Sequence, residues 1–109
     1  MALGPLTNVA IAMLADPGLG ARLQSLYIMG GNMEGVGNVT SAAEFNFHAD
    51  PEAAAAVLRL ASCPTTIATW ELSYKYNFIP LSWRREVLGK IDTPQAKMIN
   101  RLEQVSSLS

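Results

Sequence analysis

Four of the chain's eight glycines fall between Gly30 and Gly37, in the polar run Met29-Gly-Gly-Asn-Met-Glu-Gly-Val-Gly-Asn38-Val-Thr-Ser-Ala-Ala-Glu44-Phe-Asn46-Phe-His-Ala-Asp50. A short apolar run, Ser25-Leu-Tyr-Ile-Met29, stands before it, and an alanine-rich run follows from Asp50. An apolar run ended by two glycines reads as a buried strand, and Asp-Pro-Glu opening an alanine run reads as a helix start. Strand, polar loop and helix in that order are the core of an α/β unit. A polar loop on a hydrophobic scaffold is where binding groups usually sit.

The flanking sequence extends this pattern. Gly4-Pro5 makes a turn into a helix that Thr7 or Asn8 can cap and that Asp16-Pro17-Gly18 stops. Met1-Ala2-Leu3 has the character of a strand end feeding that turn. The helix from Asp50 to about Ser62 is apolar nearly all round except for Arg59, so burial on more than one side is expected. Thr65 to Trp70 is a second strand, rich in β-branched residues. Pro80 to Lys90 reads as a short helix with Leu81, Val87 and Leu88 on one side. Asp92-Thr93-Pro94 caps a last helix whose stripe of Ala96, Ile99, Asn100 and Leu102 to Val105 is incomplete.

The expected class is therefore α/β: a partial Rossmann-like domain with a mostly parallel sheet flanked by helices, incomplete at both ends. Two strands leave both sheet edges open, and parallel strands normally have both faces covered. At 109 residues the chain has room for one small domain.

Within the central loop the glycine spacing matches neither dinucleotide nor phosphate-loop patterns, and no lysine is present. The loop offers amides and a carboxylate. Glu44 and Asn46 are two apart, so on extended backbone they project to one side, and Asn38 can return to them. Such a set suits recognition of neighbouring hydroxyls, as in a sugar. On spacing alone the blander reading is favoured: the asparagines satisfy turns through left-handed backbone or side-chain-to-backbone bonds, and Glu44 is a solvated surface acid.

Met29-Gly-Gly, Gly37-Asn38, Ala43-Glu44-Phe45-Asn46 and Asp50-Pro51-Glu52-Ala53-Ala54 together resemble the signature of the inosine-uridine preferring nucleoside hydrolases. Leu3-Gly-Pro-Leu-Thr-Asn-Val-Ala resembles an earlier segment of that family at a suitable distance upstream. The motif-bearing region is 3–70 of a partial domain covering 1–109, and the helical region 80–106 resembles the family more weakly. The resemblance implies hydrolysis of the N-glycosidic bond of purine or pyrimidine ribonucleosides, by calcium-bound water that an aspartate activates. It implies that Asn38 and Glu44 hold the ribose 5'-hydroxyl, that Asn46 reaches its other hydroxyls, and that Met29 lies against the sugar. It also implies that the Thr7 carbonyl is a calcium ligand.

The family's aspartate-rich calcium motif and late histidine-aspartate segment have no counterpart in this sequence. Calcium needs about six to eight oxygens. The expectation is a central fragment that carries the ribose wall, does not bind calcium by itself and is inactive alone. The competing expectation is a non-catalytic binding or assembly module of the same descent.

Composition excludes several other classes. The formal net charge is −1 and the eight Lys and Arg are scattered apart from Arg84-Arg85, which gives no footprint for nucleic acid. The early apolar run Val9 to Ala15 precedes the first basic residue, Arg22, against the order of a secretion signal, and is far short of the ~20 residues that span a bilayer. Cys63 stands alone, so no internal disulfide forms, and it reads as a buried small hydrophobe in a cytoplasmic chain. His48, followed by alanine, reads as a packing or surface residue. Uncovered apolar surface points to homo-oligomerisation or aggregation.

Overall fold

The computed structural model describes residues 1–76 and 79–106, which fall into two compact units, Met1–Asn77 and Phe78–Ser109. The first unit is α/β. Its elements are α1 (Thr7–Ala15), α2 (Leu19–Arg22), β1 (Leu26–Met29), α3 (Phe45–Ala49), α4 (Pro51–Leu60), β2 (Thr65–Ala68) and a π-helical turn (Leu72–Tyr76). β1 and β2 are parallel, with Leu26 opposite Thr65 and Met29 opposite Ala68. Parallel neighbours need a crossover, and α3 and α4 supply it.

The far edge of β1 is not bare. Ala2 bridges to Ile28 in parallel: its amide donates to the Tyr27 carbonyl (2.8 Å) and its carbonyl accepts from the Met29 amide (2.9 Å). The strand end expected at Met1 to Leu3 is thus a third rung, and the two-open-edge expectation is corrected on that side.

The core lies on one face of this sheet. Leu6, Ala10 and Met13 follow helical spacing along α1, Ala53, Ala54 and Val57 do so along α4, and Leu26 and Ile28 alternate on β1. All are buried and form one cluster. Alanines at the contact let α4 approach closely, and Gly20 lies so near the Leu60 carbonyl that a Cβ would stand 2.3 Å from it. The all-round burial expected of the 50–62 helix does not occur: Ala55, Leu58 and Leu60 are exposed, because only one face of α4 meets α1 and the sheet. Tyr27, on the opposite face of β1, is 51% exposed.

Helix starts differ from expectation in an instructive way. Neither Thr7 nor Asn8 caps α1, whose N-cap is Leu6 without a side-chain bond. The Thr7 hydroxyl instead donates to the Asp50 carboxylate, while the other Asp50 oxygen accepts from the Ala53 amide (3.0 Å) and caps α4 as expected. Cys63 is partly buried against the core.

The second unit contains α5 (Leu81–Glu86), a 3-10 turn (Leu88–Lys90) and α6 (Pro94–Ser106). Arg84 organises it, donating to Asn100 (3.0 Å) and pairing with Glu103 (2.6 Å), while Asn100 donates to the Gly89 carbonyl (2.8 Å). Thr93 caps α6 through the Ala96 amide. Leu81, Val87 and Leu88 remain exposed, since the expected single helix breaks at Val87. The stripe's extension to Val105 lies outside the described side chains. Among the described residues no helix is long and apolar enough to cross a membrane.

Met13 is buried and Ile11 is 60% exposed on the same helix. Met13→Ala is expected to cost about 2–5 kcal/mol, and Ile11→Ala to stay within about 0.5 kcal/mol. Urea unfolding of the two variants measures the difference, and equal losses would contradict this packing.

Candidate functional site

The carboxyl ends of parallel strands are where open α/β sheets place ligands, and the glycine-rich loop leaves β1 there. Gly31 takes φ +66°, a left-handed conformation that favours glycine, and a Cβ on it would meet the Phe47 ring at 3.1 Å. Gly37 is required for a different reason: a Cβ would stand 2.3 Å from the Ala43 carbonyl and 2.4 Å from that of Thr40. The loop folds back on itself, with the Asn38 and Val39 amides both donating to Ala43 O.

Glu44 ends that return and caps α3. Its Oε2 accepts from the Phe47 amide (3.2 Å) and from the Gly31 amide (2.8 Å), so one carboxylate joins the start of the helix to the end of β1. Glu44 is 2% exposed, not a solvated surface acid. Asn46 is 7% exposed and donates from Nδ2 to the Met29 carbonyl (3.0 Å) and thioether (3.1 Å). Asn38 accepts from the Phe45 amide through Oδ1 (2.8 Å).

The expectation of an extended backbone through Glu44 and Asn46 is corrected. Only Glu44 is extended; Asn46 lies in α3. Glutamate is outside the usual Ser, Thr, Asp and Asn capping set, which hides this helix start in the sequence. Both side chains nevertheless reach the end of β1, because the cap curls back while Asn46 points inward from the first turn. Asn46 and Met29 are brought together by the hydrogen bonds that Asn46 Nδ2 gives to Met29. The left-handed asparagines of the blander reading are also absent, since every described positive-φ residue is glycine.

Each loop residue keeps a polar atom in reserve. Glu44 Oε1, Asn38 Nδ2 and Asn46 Oδ1 make no hydrogen bond among the described residues, and neither the Glu44 nor the Asn46 atom is sealed from solvent. A set of one carboxylate oxygen, one amide donor and one amide acceptor, anchored through their other atoms, can bind vicinal hydroxyls with little loss of side-chain freedom.

Glu71, beyond β2, was invisible to sequence reasoning. It is 6% exposed, and its Oε1 accepts from the Met33 and Glu34 amides, each at 2.9 Å. Its Oε2 is buried without a hydrogen-bonding partner. The Thr69 hydroxyl, acting without a well-formed bond, and the backbone amides of Glu34 and Met33 outweigh burial and hold the carboxyl at about 2. The one available signal was its position: an acid just past a strand end in a parallel sheet. Outside it, Glu34 is gripped by Lys75 and Tyr74 from the π-helical turn.

Thr7 lies apart from this set, at the start of α1, with Asp50 as its partner. The Thr7 hydroxyl, then the Ala53 amide, hold the Asp50 carboxyl below the usual carboxylate range. Among the described residues no group of three or more His, Cys, Asp or Glu could hold a metal ion. One threonine carbonyl and one already engaged carboxylate fall well short of the about six to eight oxygens calcium takes, so the donor set here does not fit that ion. His48 is exposed near the end of α3.

The profile of the inosine-uridine preferring nucleoside hydrolases matches residues 1–107. This chain belongs to that family. The nucleoside hydrolase chain is 38% identical over 102 residues to the pyrimidine-specific ribonucleoside hydrolase RihA of Klebsiella pneumoniae subsp. pneumoniae, covering 94% of this chain and 32% of that protein. It is 48% identical over 54 residues to probable uridine nucleosidase 1 of Oryza sativa subsp. japonica, covering 50% of this chain and 17% of that protein. The chain therefore spans about a third or less of these relatives.

The Glu71 carboxyl is depressed from 4.5 to about 2. A depressed carboxylate stabilises the fold fully above its unfolded value, and that contribution is lost as pH falls through the folded one. The Met33 and Glu34 amide resonances are expected to move in a transition centred at about pH 2 and to lose that transition in Glu71→Gln. Acid titration followed by NMR measures it; an unchanged profile in the variant would remove Glu71 as the cause.

Proposed function

We propose that this chain forms the ribose-binding wall of a ribonucleoside hydrolase whose whole length cleaves the N-glycosidic bond of pyrimidine ribonucleosides such as uridine. One observation carries the reading: two buried residues at the start of α3, Glu44 and Asn46, anchor one polar atom each on Gly31 and Met29 and keep a solvent-reaching one. In this reading Asn38 Nδ2 and Glu44 Oε1 hold the 5'-hydroxyl, Asn46 Oδ1 takes a second hydroxyl, and Met29 packs beside the ring. Pyrimidine preference is proposed because similar proteins carry the names uridine nucleosidase and pyrimidine-specific ribonucleoside hydrolase.

The contribution of such a wall to catalysis is differential binding. Hydroxyl contacts that tighten as the sugar flattens towards an oxocarbenium ion lower the barrier, whereas contacts equal in both states only raise affinity. Calcium, which in the whole protein would supply an activated water, finds no adequate donor set among the described residues. The 109-residue chain alone is therefore proposed to bind ribonucleoside weakly and to leave it intact. The second reading is a non-catalytic binding or assembly module of the same descent, which would bind no nucleoside.

Asn38→Asp keeps the Oδ1 acceptor for the Phe45 amide, turns the Nδ2 donor into an acceptor and adds a second carboxylate beside Glu44. It is expected to weaken uridine binding at least about tenfold, the lost hydrogen bond of about 1.5 kcal/mol and the added charge acting in the same direction. Uridine titration followed at the Asn38, Glu44 and Asn46 resonances measures this. Wild-type chain that shows no shift at those residues would favour the non-catalytic reading, and calcium-dependent release of ribose from inosine or uridine would overturn inactivity.

A further inference from the structure

We propose that Glu71 is the positioning residue of the ribose wall, fixing the loop after β1 from the neighbouring strand so that Asn38 and Glu44 are held in register. The proposal rests on the ribose-binding reading above for its consequence, but not for its geometry.

Two buried carboxylates grip the same short stretch of loop. Glu44 takes the Gly31 amide, and Glu71 takes the Met33 and Glu34 amides. They differ in their second oxygen. That of Glu44 reaches solvent, whereas that of Glu71 is sealed within the protein. A sealed oxygen cannot meet a nucleoside, so Glu71 acts on the site only through the backbone it holds.

The backbone around Glu71 acts in the same sense. Gly30 donates to the Ala68 carbonyl (3.1 Å) and the Trp70 amide donates to the Gly31 carbonyl (2.9 Å), so the sheet ladder continues past the ends of both strands. From there the hold passes onward. Asn32 Nδ2 donates to the Val36 carbonyl (3.1 Å) and the Ala42 carbonyl (2.8 Å), bracing both sides of the segment that carries Asn38. Asn38 in turn caps the Phe45 amide, next to Glu44. Hydrogen bonds joined by short stretches of backbone thus link Glu71 to the wall. An ionised acceptor strengthens its amide bonds roughly twofold over a neutral one, and this carboxyl stays ionised throughout the physiological range.

The test is Glu71→Gln in the 109-residue chain, a change that preserves shape and one acceptor and removes the charge. Amide exchange at Met33 and Glu34 is expected to quicken about tenfold relative to Ile28 in the core strand, with the Asn32 and Asn38 side-chain amide resonances displaced and uridine binding weakened about tenfold. Exchange at Met33 and Glu34 within twofold of wild type would overturn the proposal. So would faster exchange with unmoved Asn38 resonances, since Glu71 would then hold the loop tip alone. Acceleration of Ile28 to the same degree would mark a general structural role and overturn it too. If wild-type chain binds no uridine, the ribose reading fails, while the Asn38 resonances still decide the positioning role.

Discussion

The bond from the Gly31 amide to the Glu44 carboxylate is the interaction on which the site depends. It fastens the start of a five-residue helix to the end of a four-residue strand across a sequence separation of 13. So short a helix has little stability of its own, because nucleation is costly. It exists here because its cap is bonded at both ends: to the Phe47 amide within the helix and to Gly31 outside it. Burial at that point lowers the local dielectric, which strengthens both bonds and raises the cost of losing either.

Around this bond the loop is assembled from side-chain-to-backbone contacts in place of regular structure. Asn32, Asn38, Thr40, Glu44, Asn46 and Glu71 each take up backbone groups that a long loop would otherwise leave to solvent. The amides and acid of the loop satisfy the backbone with one polar atom each, and their other polar atoms make no hydrogen bond among the described residues.

The elements built from local rules were legible. The short apolar run at Leu26 to Met29, the Asp50 cap with Pro51 behind it, and the β-branched run at Thr65 all appear where pattern and capping chemistry place them. What escaped depends on contacts distant in sequence. Thr7 has every feature of a helix cap, yet its hydroxyl is taken by a carboxylate 43 residues away. The one-sided burial of α4 could not be read from its own composition, because alanine tolerates either face. Glu71 offered only its place just past a strand end, because its partners are 37 and 38 residues earlier, in a loop whose path it helps to set. Asn38, Glu44 and Asn46 stood out through motif resemblance, whereas spacing alone had placed Asn46 on the wrong backbone.

The hydrogen bond between Thr7 and Asp50 has a meaning for how this family is recognised. The two stretches that carry the resemblance, around Gly4-Pro5-Leu6-Thr7-Asn8 and Asp50-Pro51-Glu52, look like independent signatures when the sequence is scanned. In three dimensions they are the facing ends of α1 and α4, and a single proton lies between them. A change in one motif is therefore a change in the environment of the other, so they amount to one composite feature written in two places.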